Sequence, residues 1–216
     1  MNLIIDIQYF APFSYYKISY KSSNIIFEQY ETWQKLSFRN RCRIAGAEGV
    51  IDLSIPLSGG RDQKTVMKEV RIADGKGWQD RHWKTIVSCY SRSPWFDHYR
   101  DELEGLYRRP ANFLLDWNLL CFEWSMKALG MSRPVQLSQE YRKTYSPEEG
   151  LDWRGRIVPG AAVEVPGAGK APVPGAAGEV PKYRQVFEER IGFIPDLSIL
   201  DVLFCEGREA IGYVLA

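Results

Sequence analysis

The apolar positions of this chain change their spacing several times, and each change predicts a different element. Leu3-Ile4-Ile5-Asp6-Ile7 is a short, nearly continuous apolar run rich in β-branched residues, which predicts a buried strand. Ala11-Pro12 then opens Phe13 to Tyr20, read as a helix with proline in its first turn. Asn24 to Glu28 repeats the apolar run. Strand, helix and strand in this order predict a parallel, right-handed crossover. From Ser37 to Ile44 the period becomes two: Arg39, Arg41 and Arg43 fall on one face, and Phe38, Asn40, Cys42 and Ile44 on the other. Gly46 and Gly49 bracket a turn, and Val50 to Leu57 predicts the returning strand of a hairpin. Val66 to Ile72 predicts one strand more.

The spacing then becomes helical. Trp78, His82, Ile86 and Cys89 share one stripe, with Arg81, Lys84 and Ser88 opposite. Ser93-Pro94 predicts a capped start for the next helix, whose apolar face is Phe96, Tyr99, Leu103 and Leu106. Leu115, Leu119, Phe122, Met126 and Leu129 form a third face, stopped by Gly130. The pattern lapses between Gly155 and Pro181, where Pro, Gly, Ala and Val dominate. There Pro159-Gly-Ala-Ala-Val-Glu-Val-Pro166 returns as Pro174-Gly-Ala-Ala-Gly-Glu-Val-Pro181. Without large apolar side chains such a stretch does not offset its ordering entropy, so it reads as a surface insertion, with a lid over a site as the alternative. Patterned sequence resumes at Tyr183, and Asp196 is placed to cap a short helix holding Leu197, Leu200, Asp201 and Phe204. The expected architecture is an α/β domain with a mixed sheet and a central helical cluster. It divides into a main domain over 1–154, a Pro/Gly-rich insertion over 155–181, and a helical segment over 182–216 packed on the main domain.

Composition narrows the function classes. Lys+Arg 28 against Asp+Glu 27 leaves a net charge of +1, so there is no basic surplus for a sequence-independent grip on nucleic acid, and any anion site must be local. Cys42, Cys89, Cys121 and Cys205 lie far apart with no CxxC pair, which argues against a zinc knuckle or a redox motif. Neither a signal peptide at the N-terminus nor an apolar run of membrane-spanning length, about 18 residues, is present, so a cytoplasmic protein with reduced thiols is expected.

Several segments together resemble the WbqC-like protein family. Ile7-Gln8-Tyr9-Phe10-Ala11-Pro12-Phe13 is similar to the family's opening, with Tyr15-Tyr16 where further aromatics stand. Ser37-Phe38-Arg39-Asn40-Arg41 resembles its most distinctive motif, continued by Ile44 and Gly46. Leu53-Ser54-Ile55-Pro56-Leu57 is similar to the next strand, and Trp78, His82, Thr85-Ile86, Tyr90 and Pro94-Trp95-Phe96 to the following helix pair. Gly192 to Asp201 is a close variant of the family's end. Tyr9 departs from the pattern, which more often carries proline or a small residue there. The resemblance implies bacterial surface-polysaccharide (O-antigen-like) biosynthesis, with acyl or aminoacyl transfer to an amino sugar or nucleotide sugar as the reaction. The alternative is a non-catalytic binding or scaffold protein of the same pathway.

Each candidate residue has a structural reading beside the chemical one. Gln8 stands near the carboxyl end of a strand, where open α/β sheets bind ligands, or is a buried amide bonded to backbone. Arg39, Asn40 and Arg41 suit an anionic small molecule such as a nucleotide sugar, or else the arginines are a solvated face. His82 suits a general base near neutrality, or is a satisfied core histidine. Cys89 shares its stripe two turns on, but a mid-helix cysteine on an apolar face is ordinarily inert. The chain has no GxSxG elbow, no phosphate-binding glycine loop and no metal-ligand spacing, and no cofactor is indicated. These readings place Gln8, Asn40 or Arg41, and His82 together in one cleft.

Overall fold

The computed structural model of the protein describes residues 1–74, 77–160 and 180–215. The two apolar runs of the N-terminus are β1 (Asn2–Ile5) and β2 (Asn24–Phe27), joined by α1 (Phe13–Tyr20). They pair in parallel, from Asn2 opposite Asn24 to Ile5 opposite Phe27, as the crossover pattern predicts. Two short strands extend the sheet: β5 (Val135–Leu137) lies parallel outside β2, and β6 (Leu151–Asp152) parallel outside β1. The order is β5-β2-β1-β6. Gly150 lets β6 lie this close, because a Cβ there would come 2.7 Å from the Asn2 carbonyl oxygen.

The arginine-bearing hairpin is β3 (Arg41–Gly46) with β4 (Gly49–Ser54), paired antiparallel. It stands apart as a sheet of two strands, so the expected mixed sheet is corrected to one parallel sheet and one antiparallel ribbon among the described residues. The ribbon is held instead by the C-terminal chain, where Ser198 N–H donates to the Arg43 carbonyl, and by the Tyr90 hydroxyl, which accepts from Ala45 N–H. Val66 to Ile72 is likewise not a strand. It holds a 3-10 turn over Met67–Glu69, with single bridges joining Val66 to Thr32, Ile72 to Leu57 and Arg71 to Phe113. Buried Met67 and Val70 are three residues apart, the period of such a turn rather than of a strand.

The helical stripes form α2 (Trp78–Tyr90), α3 (Phe96–Tyr107) and α4 (Leu114–Ala128). Gly130, at φ 66°, ends the last of these as expected. Phe122 of α4 packs edge-on against Phe27 of the sheet and is stacked on Tyr16 of α1, which joins the helical cluster to the crossover. Two caps belong to helices other than those expected. The Ser93 hydroxyl donates back to the Tyr90 carbonyl and so closes α2, while the Ser198 side chain caps α6 (Ile199–Glu206). Asp196 instead accepts from the Ser14 N–H (2.8 Å) and hydroxyl (2.9 Å), capping α1 across the fold. Two shorter helices, α5 (Glu188–Ile191) and α7 (Ala210–Leu215), complete the C-terminal segment. The Pro/Gly-rich stretch read as a surface insertion lies, over 161–179, outside the described residues.

Candidate functional site

The four parallel strands all point their carboxyl ends at one edge of the domain. The chain leaves β1 toward β2, whereas β6 lies on the other side of β1, so the direction of connection changes there. A crevice beyond such a change is where open α/β sheets bind ligands. Asp6 and Gln8 follow β1, Glu28 and Glu31 follow β2, Ser138 follows β5, and Arg154 follows Asp152 at the end of β6. A concavity of about 570 Å³ opens over this edge, walled by Glu31, Gln34, Tyr141, Lys143, Asp152 and Arg156, among others.

Its floor rests on a charged network, in which Glu31, Asp152 and Arg154 line the concavity while Asp6, Gln8 and Arg39 are buried beneath them. Arg39 is fully buried and donates to Glu31 Oε1 from both Nε (3.0 Å) and Nη2 (2.6 Å). Its Nη1 lies 3.6 Å from Asp6 Oδ2 and has no hydrogen-bond partner. Asp6 Oδ2 also accepts from Gln8 Nε2 (3.0 Å), and its Oδ1 accepts from the Gly155 N–H (2.7 Å). Gln8 Nε2 donates a second bond to the Ile157 carbonyl, while Gln8 Oε1 is buried with no partner. Beside this group Arg154 donates to both oxygens of Asp152, reaches Glu28 Oε2 at 3.4 Å, and bonds the carbonyls of Arg142 and Lys143. Arg154 thus fastens the chain after β5 over the sheet edge. Four carboxylates, Asp6, Glu28, Glu31 and Asp152, face two guanidiniums. Burial pushes the Glu31 carboxyl up to about 7, with nearby Asp6 adding to the rise and Arg39 only partly opposing it.

The candidates from the sequence therefore divide among three places. Gln8 and Arg39 lie in this floor. Arg39 does not share a face with Arg41, because residues 37–40 form a turn and the strand begins only at Arg41. That turn sends Arg39 inward, where Asn118 Nδ2 holds its carbonyl. Asn40 and Arg41 line a second concavity, of about 220 Å³, on the other side of the segment that follows Glu31. The period-two reading set them on opposite faces, and the same turn before Arg41 brings them together.

His82 lies in neither. It sits in the helical core against Trp78, its Nδ1 3.0 Å from the Tyr9 hydroxyl, which in turn lies 2.5 Å from the Tyr107 hydroxyl. Burial lowers its pKa to about 4, a contact with the Ser54 backbone opposing this only in part, so the ring is neutral. The single cleft uniting Gln8, Arg41 and His82 is thus replaced by two concavities and a buried chain. All four cysteines are buried, and burial raises the thiols of Cys42, Cys89, Cys121 and Cys205. Among the described residues no cluster of His, Cys, Asp and Glu is placed to hold a metal ion, and no helix is long and apolar enough to cross a membrane.

A family model described as the WbqC-like protein family matches residues 8–158, well over half of the chain. The chain belongs to the WbqC-like protein family. The match takes in both concavities, from Gln8 and Glu31 through Arg41 to Arg156. Comparison with curated proteins and with solved structures finds no match. Sequence reasoning missed Glu31, Asp152 and Arg154. The rule that singled out Gln8, that ligands gather beyond strand carboxyl ends, applies equally to Glu28 and Glu31 after the second strand. Asp152 and Arg154 offered no comparable signal, since Leu151–Asp152 is too short to show a period.

Proposed function

We propose that this WbqC-like chain is an enzyme of surface-polysaccharide biosynthesis that works in the crevice at the carboxyl edge of the parallel sheet, with Glu31 as its general base. The observation that carries the reading is geometric: the Glu31 carboxyl, nearly buried and held on Oε1 by Arg39, stands in the wall of an open crevice, where burial raises its pKa. The transformation this suits is acyl or aminoacyl transfer to the amine of an amino sugar, free or nucleotide-linked. The amine nitrogen attacks the acyl carbon, the new C–N bond forms, the leaving group departs with the electron pair of the bond it breaks, and Glu31 takes the amine proton. A base with a pKa near 7 is matched to that transfer at neutral pH.

Arg39 holds Glu31 through Oε1, and neither of its bonds goes to Oε2. Gln8 stays beneath the crevice, where its Nε2 holds Asp6 and the Ile157 carbonyl in place. Lys143 and Arg156 stand in the wall of the concavity, where the anionic part of a nucleotide sugar would lie. A floor in which four carboxylates face two guanidiniums disfavours phosphate and favours an amine or hydroxyls, which sets the direction in which such a molecule enters. His82 is left to the fold.

The reading as a non-catalytic binding or scaffold protein is favoured by one observation, the burial of all four cysteines. Incubation with nucleotide-linked amino sugars and acyl donors, followed by mass spectrometry of the sugar, separates the two. Glu31→Gln should keep the thermal shift produced by the sugar and lose roughly 10²–10⁴ of the transfer rate, the usual range for a general base. A sugar that shifts the wild-type melting point while no donor yields acylated product would favour the scaffold.

A further inference from the structure

The smaller concavity is built unlike the crevice. Its lining combines Trp33, Leu36 and Leu57 with Lys35, Arg41 and Arg61, and among the described residues no acidic side chain lines it. The three cations come from separate stretches of chain, the loop after β2, the start of β3 and the loop after β4. Each has an acidic neighbour outside the cup: Asp62 lies 2.6 Å from Lys35 and 3.9 Å from Arg61, and Asp52 is shared by Arg41 (3.2 Å) and Arg43 (3.4 Å). Four cations thus face two carboxylates, and exposed pairs of this kind are weak enough to yield to a ligand.

Arg41 supplies the sharper sign. Its Nη1 bonds Asp52, but its Nε is buried and has no partner, so one arm of the guanidinium fork is unused. A buried donor left in this state is unfavourable until an acceptor reaches it. The walls are pinned in place. Trp33 Nε1 donates to the Arg61 carbonyl, Trp33 N–H to the Thr65 carbonyl, and Asn40 Nδ2 to the Ile55 carbonyl. At the rim Leu36 is 63% exposed with φ 57°, a left-handed conformation that is uncommon for a side chain of this size. Exposed apolar surface and backbone strain both gather at binding sites.

We propose that this cup is a second binding site, specific for a phosphate or diphosphate group carried on a small apolar or sugar-like residue. A volume of about 220 Å³ is smaller than ordinary small-molecule sites, which begin near ~300 Å³, so it takes the phosphoryl end of a ligand and leaves the remainder outside. The forked guanidinium of Arg41 grips two phosphoryl oxygens, while Arg61 and Lys35 close on the charge from the rim. The inference does not rest on the chemistry assigned to Glu31, because the cup and the crevice share no lining residue.

Isothermal titration of the protein with inorganic phosphate and with pyrophosphate, at low ionic strength, tests it. Both should bind, pyrophosphate the tighter. Arg41→Lys, which keeps the charge and loses the fork, should weaken binding by roughly tenfold or more. Arg61→Ala should weaken it by a few-fold, and Glu31→Gln should leave it unchanged. Vesicles of phosphatidylcholine with and without phosphatidic acid identify the source of the group. Retention on the phosphatidic acid vesicles alone, lost with Arg41→Lys, assigns a lipid phosphate, and binding of pyrophosphate without vesicle retention assigns a soluble one. Failure of both anions to bind, or binding that survives Arg41→Lys and Arg61→Ala alike, would overturn the proposal. A gain of affinity in Glu31→Gln, which takes a negative charge out of the crevice, would show that the anions bind there instead.

Discussion

Among the groups of buried polar side chains in this domain, two are satisfied to very different degrees. In the helical core, Tyr107, Tyr9 and His82 form a chain in which each polar atom of the three has a partner, and the imidazole is neutral. At the sheet edge, Arg39, Asp6, Gln8 and Glu31 are buried as deeply, yet Gln8 Oε1 and Arg39 Nη1 lack partners and the carboxylates outnumber the guanidiniums. Buried polar groups are ordinarily satisfied, so the exceptions call for a reason, and an open crevice beside them supplies one. The histidine was the residue with the more inviting chemistry. Its ring is buried and bonded to Tyr9, whereas Glu31 stands in the wall of the crevice.

The largest expected effect breaks the unsatisfied group. Arg39→Leu removes the guanidinium that pairs with both Glu31 and Asp6, leaving buried carboxylates uncompensated, and should destabilise the fold by about 3–5 kcal/mol in urea unfolding at pH 8. Tyr9→Phe, in the satisfied chain, removes one hydroxyl and should be milder, about 1–3 kcal/mol. Equal losses in the two variants would erase the distinction.

A smaller effect uses pH. The His82 pKa is lowered in the fold, so its contribution is present above about 6.5 and is lost as pH falls toward about 4. The Glu31 pKa is raised, so its contribution is present below about 4.3 and is lost as pH rises through about 7. Each slope amounts to about 1.4 kcal/mol per pH unit, and over the shared window they run in opposite directions and cancel. Glu31→Gln should therefore reveal stability that rises between pH 4.5 and pH 6.5 by about 3 kcal/mol, and His82→Gln stability that falls by a similar amount. Urea midpoints measured across that range check both signs, and a His82→Gln profile that stays flat would mean that Glu31 ionises normally.

The contrast also shows what the sequence could convey. Leu3 to Ile5 and Ile25 to Phe27 are legible because a buried parallel strand is apolar on both faces, and the stripes of α2, α3 and α4 because each helix buries one side. The charged floor was not legible. Arg39 looked like the first of three arginines on a strand face, since a period of two cannot show that the chain turns at residues 37–40 before the strand begins. Glu31 lies in a stretch without periodicity, and its partner is eight residues away through a loop. Asp152 and Arg154 reach the site only because Gly150 lets a strand of two residues settle beside β1. His82 was legible in position, but its burial and its bond to Tyr9 depend on tertiary contacts that no spacing encodes.

The central claim is that Glu31 holds a carboxyl group near neutrality in the crevice wall. Carbon-13 NMR titration of the glutamate side-chain carboxyls, assigned by comparison with Glu31→Gln, measures it directly. The account predicts one carboxyl resonance, missing from Glu31→Gln, with a midpoint near 7. A Glu31 midpoint at or below the ordinary glutamate value of about 4.3 would contradict it, and would leave the buried network a structural ion cluster.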